Sequence, residues 1–71
     1  MPEAKPAEFK RVARKLGFEF LRQKGSHERW AHPDGRATTI PNHPSTTISG
    51  RLFYDILRQM GTTEKEFNEL K

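Results

Sequence analysis

The sequence predicts an α+β fold of two layers, in which helices cover one face of a three-stranded antiparallel sheet. Three observations support this: helical periodicity near both ends of the chain, turn signals that divide its middle into short strands, and a length of 71 residues. That length allows a single domain with one small core. We therefore expect one domain over residues 1–71, in the order helix, three strands, helix and short helix, with residues 1–5 as a frayed tail.

The first helix is predicted over residues 6–16. Pro6 suits the first turn of a helix, and Gly17 suits the position after the last turn. Apolar side chains recur at positions i, i+3, i+4 and i+7, which places them on one stripe of the helix. They are Phe9, Val12, Ala13 and Leu16.

The middle of the chain is predicted to form an antiparallel meander of three strands, over residues 18–24, 28–32 and 36–40. Gly25-Ser26 interrupts the first two strands, and Pro33-Asp34-Gly35 is a strong turn signal between the last two. Both connections are short, as expected of hairpins.

Two more helices are predicted in the C-terminal half. Ser49 can cap the first of them, and Gly61 ends it. Thr63 and Glu66 have the spacing of a capping box, which predicts a last short helix. Apolar side chains on these helices are expected to pack on the sheet and leave its other face to solvent or a partner. They are Leu52, Phe53, Ile56, Leu57, Met60, Phe67 and Leu70.

The charge is concentrated in the N-terminal half. Nine Lys or Arg and five Asp or Glu lie in residues 1–36, whereas residues 37–71 carry four of each, so the net charge of +4 belongs to the first half. Such an excess is typical of a surface that binds a polyanion such as nucleic acid. An ordinary basic surface remains the alternative interpretation.

Several function classes are disfavoured by composition. The chain has no Cys, hence no disulfide framework, no Cys-based zinc site and no thiol nucleophile. Its three histidines, His27, His32 and His43, match no metal-ligand spacing, so we expect neither a metal nor a cofactor. No apolar run approaches the roughly 20 residues of a membrane helix, and no signal peptide is recognisable, so we expect a cytosolic protein without a membrane partner.

The segment whose side chains are best suited to catalysis is Arg22-Gln23-Lys24-Gly25-Ser26-His27. An imidazole can accept and donate a proton near neutral pH, and neighbouring cations can bind a phosphate and stabilise charge that develops on it. Gly25 permits close approach of the backbone, and Ser26 offers a hydroxyl. This combination suits metal-free RNA cleavage, in which a 2′-hydroxyl attacks its own phosphate, although a histidine after a turn is often an ordinary surface residue.

The chain resembles the HicA family of toxin mRNA interferases from bacterial toxin–antitoxin pairs. The resemblance runs from about residue 9 to residue 70, in order and with compatible spacing. The matching segments are Leu16-Gly17-Phe18, Arg22-Gln23-Lys24-Gly25-Ser26-His27, His32-Pro33-Asp34-Gly35-Arg36, Ile40-Pro41, His43, Gly50-Arg51-Leu52, Ile56-Leu57-Arg58-Gln59, Gly61 and Glu66-Phe67.

The resemblance implies a fold like that of a double-stranded-RNA-binding domain and an endoribonuclease that cleaves mRNA without a metal. It implies that His27 is the catalytic residue and that a HicB-type antitoxin covers the active surface. Residues expected to contact RNA surround His27: Lys24, Ser26, Arg22, Gly25 and Arg29. Glu28-Arg29 and the loop Pro44-Ser45-Thr46-Thr47 depart from the usual family pattern.

Alternatives remain open at this point. A non-catalytic RNA-binding module would use the same fold to bind duplex RNA by its shape, and a protein-interaction partner is a third interpretation. Trp30 belongs to the core or stacks on a base; His27 and residue 30 should lie on opposite faces of the sheet, which favours the core. His32 is expected to be structural, and His43 to be a possible second acid or base.

Overall fold

The computed structural model describes residues 2–43 and 45–71. A three-stranded antiparallel sheet in the order β2-β3-β4 is accompanied by three helices and a two-stranded sheet of β1 and β5. The elements are β1 (Glu3–Ala4), α1 (Pro6–Lys15), β2 (Glu19–Lys24), β3 (His27–Ala31), β4 (Ala37–Pro41), β5 (Ile48–Ser49), α2 (Gly50–Met60) and α3 (Glu64–Leu70). The predicted α+β class is confirmed, and the architecture is consistent with a double-stranded-RNA-binding-domain-like fold.

The prediction of a frayed N-terminal tail is wrong for Glu3–Ala4. These residues pair antiparallel with β5, Glu3 opposite Ser49 and Ala4 opposite Ile48. Ala4 and Ile48 are both buried in the core. The backbone hydrogen bonds and the buried methyl group of Ala4 therefore hold this segment to the start of α2. Met1 and Pro44 lie outside the described residues. Pro44 is the first residue of the loop that departs from the usual family pattern.

Helix α1 begins where the sequence predicts and ends one residue earlier, with Leu16 as its cap. The Lys5 amide donates to Glu8 Oε1 at 3.0 Å, which satisfies one free N–H group of the first turn. Phe9, whose ring packs against Phe53 and Phe67, anchors the buried face of the helix.

The two hairpins of the meander are as predicted to within a residue or so. Gly25, at φ +60°, is the first of the two turn residues between β2 and β3, and Ser26 has no positive φ. This is the pattern of a type II′ turn, which matches the twist of the flanking strands. The Gln23 side chain donates to the Gly25 carbonyl at 2.9 Å and closes the turn from the side.

A bulge in β2 changes the face on which its residues lie. Phe20 pairs with Trp30 and Arg22 with Arg29, so the register shifts at Leu21 between them. Because side chains alternate along a strand, Phe20 and Arg22 would otherwise share a face. The bulge instead places Phe20 on the face of Trp30 and leaves Arg22 on the opposite face.

The helix-covered face of the sheet forms the core. Trp30 is 1% exposed, so the interpretation of this residue as a core aromatic is confirmed and the stacking alternative is wrong. Glu28, Thr38 and Ile40 are buried on the same face. Ile48 of β5 and Phe18, just before β2, are also buried, and the helices contribute Phe9, Val12, Phe53, Ile56, Leu57, Met60 and Phe67.

Helices α2 and α3 differ from prediction only in detail. Ser49 is the N-cap residue of α2, but its side chain makes no cap hydrogen bond. Leu52 is 47% exposed rather than packed in the core. Thr63 Oγ1 accepts from the Glu66 amide at 3.1 Å, as the capping box predicts, whereas the Glu66 carboxylate is engaged by Thr62.

The turn between β3 and β4 is fixed by its own side chains. The Asp34 carboxylate accepts from the Arg36 amide at 3.0 Å and from the Arg36 guanidinium at 2.8 Å. The amide hydrogen bond from Arg36 is the main reason that the pKa of Asp34 lies below its ordinary value of 3.8. Arg36 also lies over the Phe18 ring and donates to the Met60 carbonyl at the end of α2.

His32 is part of this structural turn, as expected. Its Nδ1 accepts from the Asp34 amide at 3.0 Å, and its ring contacts Phe18 edge-on. Gly17, at φ +94°, lies directly against the ring, where an added Cβ would be 2.9 Å from His32 Nε2. The glycine is therefore required both by backbone conformation and by space.

Candidate functional site

His27 lies at the first position of β3, directly after the tight turn, and its side chain is exposed. It pairs with Lys24 of β2 on one side and with Pro41 of β4 on the other. The Asn42 amide donates to the Ser26 carbonyl, which ties the turn to the strand end beyond Pro41. The backbone that carries His27 is thus held on both sides while its ring remains accessible.

Two cross-strand pairs make the outer face of the β2–β3 hairpin basic. Lys24 pairs with His27, and Arg22 pairs with Arg29. Paired residues point to the same face, and like charges placed opposite each other repel. Within residues 2–43 and 45–71, neither Lys24, Arg22 nor Arg29 forms an ion pair. An anion bound over this face would relieve the repulsion.

A groove of about 320 Å³ opens beside His27. β4 is an edge strand that α2 contacts, and the groove lies between that helix and the outer face of the sheet. One wall comes from the sheet and the other from α2. The lining residues are His27, Arg29, Thr39 and Pro41 on the sheet and Leu52, Asp55, Ile56 and Gln59 on the helix.

Arg29 is the best positioned of the cations proposed from the sequence. Its Nη1 donates to Thr39 Oγ1 at 3.1 Å, and the two residues are paired across β3 and β4. This hydrogen bond directs the guanidinium along the groove wall two residues from His27. Arg22 and Lys24 share its face but lie on β2, farther from the groove.

Glu28 and Arg29, which depart from the family pattern, have different roles because they lie on opposite faces. Glu28 is buried, 3.5 Å from the Lys10 ammonium, and accepts from the Trp30 indole at 3.1 Å. Its charge is therefore compensated inside the helix-covered layer. Of these two residues, only Arg29 lines the groove.

The turn residues Gly25 and Ser26 are brought next to His27 as the sequence predicts. Gly25 has nothing within 4 Å of where a Cβ would stand, so its backbone is open to close approach. Ser26 is half-buried, and in the described parts of the chain its hydroxyl makes no hydrogen bond.

His43 is not among the residues that line the groove. It lines a separate depression of about 130 Å³ together with Lys5, Pro6, Ala7 and Asn42. Its Nδ1 is 3.2 Å from the Ser45 hydroxyl. His43 and His27 therefore line different depressions of the surface.

Sequence reasoning missed the α2 wall of the groove. Asp55 lies between two arginines of its own helix, 2.8 Å from Arg58 and 3.7 Å from Arg51. Gln59 Oε1 accepts from the Thr38 hydroxyl at 2.7 Å. The signal was present in the spacing of Leu52, Asp55 and Gln59, which share one stripe of a helix with Ile56 at positions i, i+3, i+4 and i+7.

Among residues 2–43 and 45–71, no group of three or more His, Asp or Glu is arranged to hold a metal ion. In the same part of the chain, no helix has the length and apolar character needed to cross a membrane.

One comparison with known proteins identifies a family for this chain. A family model described as the HicA toxin of bacterial toxin–antitoxin pairs matches residues 6–62 of the 71-residue chain. A search of curated proteins gave no match. The matched region extends from the start of α1 to the residue after Gly61 and includes the whole three-stranded sheet, the His27 turn and α2. The chain therefore belongs to the HicA toxin family.

Proposed function

We propose that this protein is an endoribonuclease that cleaves mRNA without a metal ion, with His27 as general acid or base, and thereby stops translation and growth. The observation that carries the proposal is the position of His27. Its exposed imidazole opens onto a groove that it shares with Arg29, on a basic face that includes Lys24 and Arg22. A family defined by toxin–antitoxin pairs supports the toxin role and implies an antitoxin partner.

The chemistry proposed is an internal displacement at phosphorus. The 2′-oxygen forms a bond to phosphorus and the bond to the 5′-oxygen of the next nucleotide breaks, which yields a 2′,3′-cyclic phosphate and a 5′-hydroxyl. His27 either accepts the proton of the 2′-hydroxyl or donates one to the departing 5′-oxygen, and solvent completes the other transfer. Each proton is thereby accounted for without a metal-bound water.

The surrounding cations supply the electrostatic part of catalysis. Negative charge increases on the non-bridging phosphate oxygens as the 2′-oxygen attacks. Arg29, oriented by Thr39, is placed to stabilise that charge, and Lys24 and Arg22 to hold the flanking backbone. The open backbone at Gly25 and the Ser26 hydroxyl offer further contacts to a phosphate.

The same face is the proposed binding surface of a HicB-type antitoxin. Because His27, Lys24 and Arg29 lie on the outer face of the sheet, a protein seated there blocks RNA from the histidine. Inhibition then requires no change of fold in the toxin.

The test is cleavage of an mRNA by the purified chain in excess EDTA. We expect cleavage to persist, to leave a 2′,3′-cyclic phosphate, and to fail where the 2′-hydroxyl at the cut site is replaced by hydrogen. His27→Ala should slow the reaction by roughly 10²- to 10⁴-fold, the usual contribution of a general acid or base. His43→Ala is the matched control, an exposed histidine outside the groove, and should keep the original rate.

Cleavage by His27→Ala at the original rate would contradict the catalytic assignment. If the unmodified chain binds RNA tightly but never cuts it, the protein is instead a non-catalytic RNA-binding module. Both variants should retain the circular dichroism spectrum of the parent, because each substituted side chain is exposed.

A further inference from the structure

The groove beside His27 contains more functional groups than cleavage of a phosphodiester requires. Proton transfer and charge stabilisation need His27 and Arg29, which are on the sheet wall. The α2 wall adds a carboxylate at Asp55, an amide at Gln59 and the exposed apolar side chain of Leu52. These groups neither move a proton nor neutralise a phosphate in the proposed mechanism.

The size of the groove limits what it can receive. A volume of about 320 Å³ is at the lower end of small-ligand sites and is suited to a single nucleotide. The bases of a duplex cannot enter such a space, because they are stacked and paired and do not turn out of the helix, whereas bases in single-stranded segments can. An unpaired nucleotide can turn its base into the groove while its phosphate stays on the basic face.

The polar groups of the α2 wall are suited to reading a base. Gln59 Oε1 is occupied by the hydroxyl of Thr38, a residue that is 0% exposed, so one end of the amide is fixed by the core. Within the described residues its NH₂ group has no hydrogen-bond partner. Asp55 is held by Arg58 and Arg51, which offset its charge and thereby lower its repulsion of RNA. Leu52 adds an apolar surface for the face of a base.

We infer that this groove is a base-recognition subsite for an unpaired nucleotide next to the cleaved phosphate, with Gln59 and Asp55 reading the edge of the base. The inference rests on the proposed nuclease function and names its substrate class, single-stranded RNA. The free NH₂ of Gln59 donates and the Asp55 carboxylate accepts, so together they favour a base that presents a carbonyl oxygen beside a ring N–H group, which is uracil or guanine.

The experiment exchanges the donor for an acceptor. Gln59→Glu keeps an oxygen for Thr38 but replaces the NH₂ group by a carboxylate oxygen. That oxygen accepts from the N6 amino group of adenine or the N4 amino group of cytosine, which stand where guanine has O6 and uracil has O4. Cleavage sites are mapped in a pool of single-stranded RNAs of random sequence. Asn68→Asp is the matched control, the same amide-to-acid change at an exposed position of α3.

We expect the parent to prefer uracil or guanine at one position beside the cut and Gln59→Glu to shift that preference toward adenine or cytosine by roughly tenfold, the effect of one hydrogen bond to a charged group. Asn68→Asp should keep the parent preference. Pairing the target segment into a duplex should suppress cleavage.

A readout that needs no cleavage separates this inference from the proposed function. RNAs retained from the same pool by His27→Ala are compared with those retained by the His27→Ala, Gln59→Glu double variant. A shift in retained bases supports the subsite even if no variant cuts RNA. Three results would overturn the inference: an unchanged base preference in both assays, equal cleavage of duplex and single-stranded RNA, or a Gln59→Glu variant that loses antitoxin binding but keeps the parent base preference. None of them would decide whether His27 is catalytic, which the His27→Ala experiment tests.

Discussion

The two ends of β3 have similar residues but differ in whether their polar side chains have hydrogen-bond partners. At one end, His32 follows the strand and shares a turn with Asp34 and Arg36, and each of these side chains has a hydrogen-bond partner. At the other end, His27 begins the strand beside Lys24, and in the described chain neither side chain is hydrogen-bonded or ion-paired. Both ends combine a tight turn, an imidazole and a cation.

The difference shows that residue type alone does not separate a histidine that is part of a structural turn from one that is exposed beside a groove. At the His32 end, the polar groups satisfy one another and the end of α2, so their interactions contribute to folding. At the His27 end, Arg22 lies opposite Arg29, and His27 and Arg29 line a groove, so these side chains remain available to a ligand. We expect stability to depend on the His32 end and RNA cleavage to depend on the His27 end.

The largest expected effect on stability is that of Gly17→Ala. The positive φ of Gly17 strains any side chain, and the new Cβ would overlap the His32 ring, which its contacts with Phe18 and Asp34 hold in place. We expect a loss of about 3 kcal/mol in the free energy of unfolding, measured by urea denaturation.

Gly35→Ala is the control for this change, because Gly35 also has a positive φ but has nothing within 4 Å of its Cβ position. It should cost about 1 to 2 kcal/mol, the backbone strain alone. An equal loss of unfolding free energy in the two variants would mean that the His32 ring moves aside and is not a fixed part of the turn.

Arg36→Ala should have the next largest effect. It removes the hydrogen bonds of the guanidinium to Asp34 and to the Met60 carbonyl, and its contact with the Phe18 ring. We expect a loss of about 2 kcal/mol, seen as a thermal midpoint lower by roughly 8 to 16 °C. Arg29→Ala at the other end should change the midpoint little, and a comparable loss there would erase the contrast between the two ends.

The smallest effect concerns pH and Asp34. Its pKa is lowered in the folded state, chiefly by the hydrogen bond from the Arg36 amide, so folding favours the ionised carboxylate. Its stabilising contribution is therefore complete above its ordinary value of 3.8 and is lost as the pH falls through the lowered pKa. The thermal midpoints of the parent and Asp34→Asn should differ at pH 6 and converge toward pH 2; a difference that is constant over this range would contradict the assignment.

Most of the fold was predictable because its signals are local. The stripe of Phe9, Val12 and Ala13, the Gly25-Ser26 turn and the Thr63 cap each depend on residues a few positions apart. The pairing of Ala4 with Ile48 was not predictable in this way, since two residues on each side carry no strand pattern of their own. The bulge at Leu21 is likewise a property of the pairing between β2 and β3.

The candidate site was predictable on one wall only. His27, Lys24 and Ser26 are neighbours in sequence, so their proximity follows from the hairpin. Asp55 and Gln59 reach the groove because α2 runs along the open edge of β4, and this placement depends on how the helix packs on the sheet. Local patterns therefore single out the segment around His27, the family resemblance implies its catalytic role, and neither indicates the roles proposed for Asp55 and Gln59.

The central claim is that the imidazole of His27, and not that of His32, carries out proton transfer in RNA cleavage. The most direct measurement compares the single-turnover cleavage rates of His27→Ala and His32→Ala at equal concentrations of folded protein, with the folded fraction taken from circular dichroism. We predict that His27→Ala is fully folded and roughly 10²- to 10⁴-fold slower, whereas His32→Ala is less stable but cuts at the parent rate per folded molecule. The reverse pattern, or equal rates in the two variants, would contradict the account.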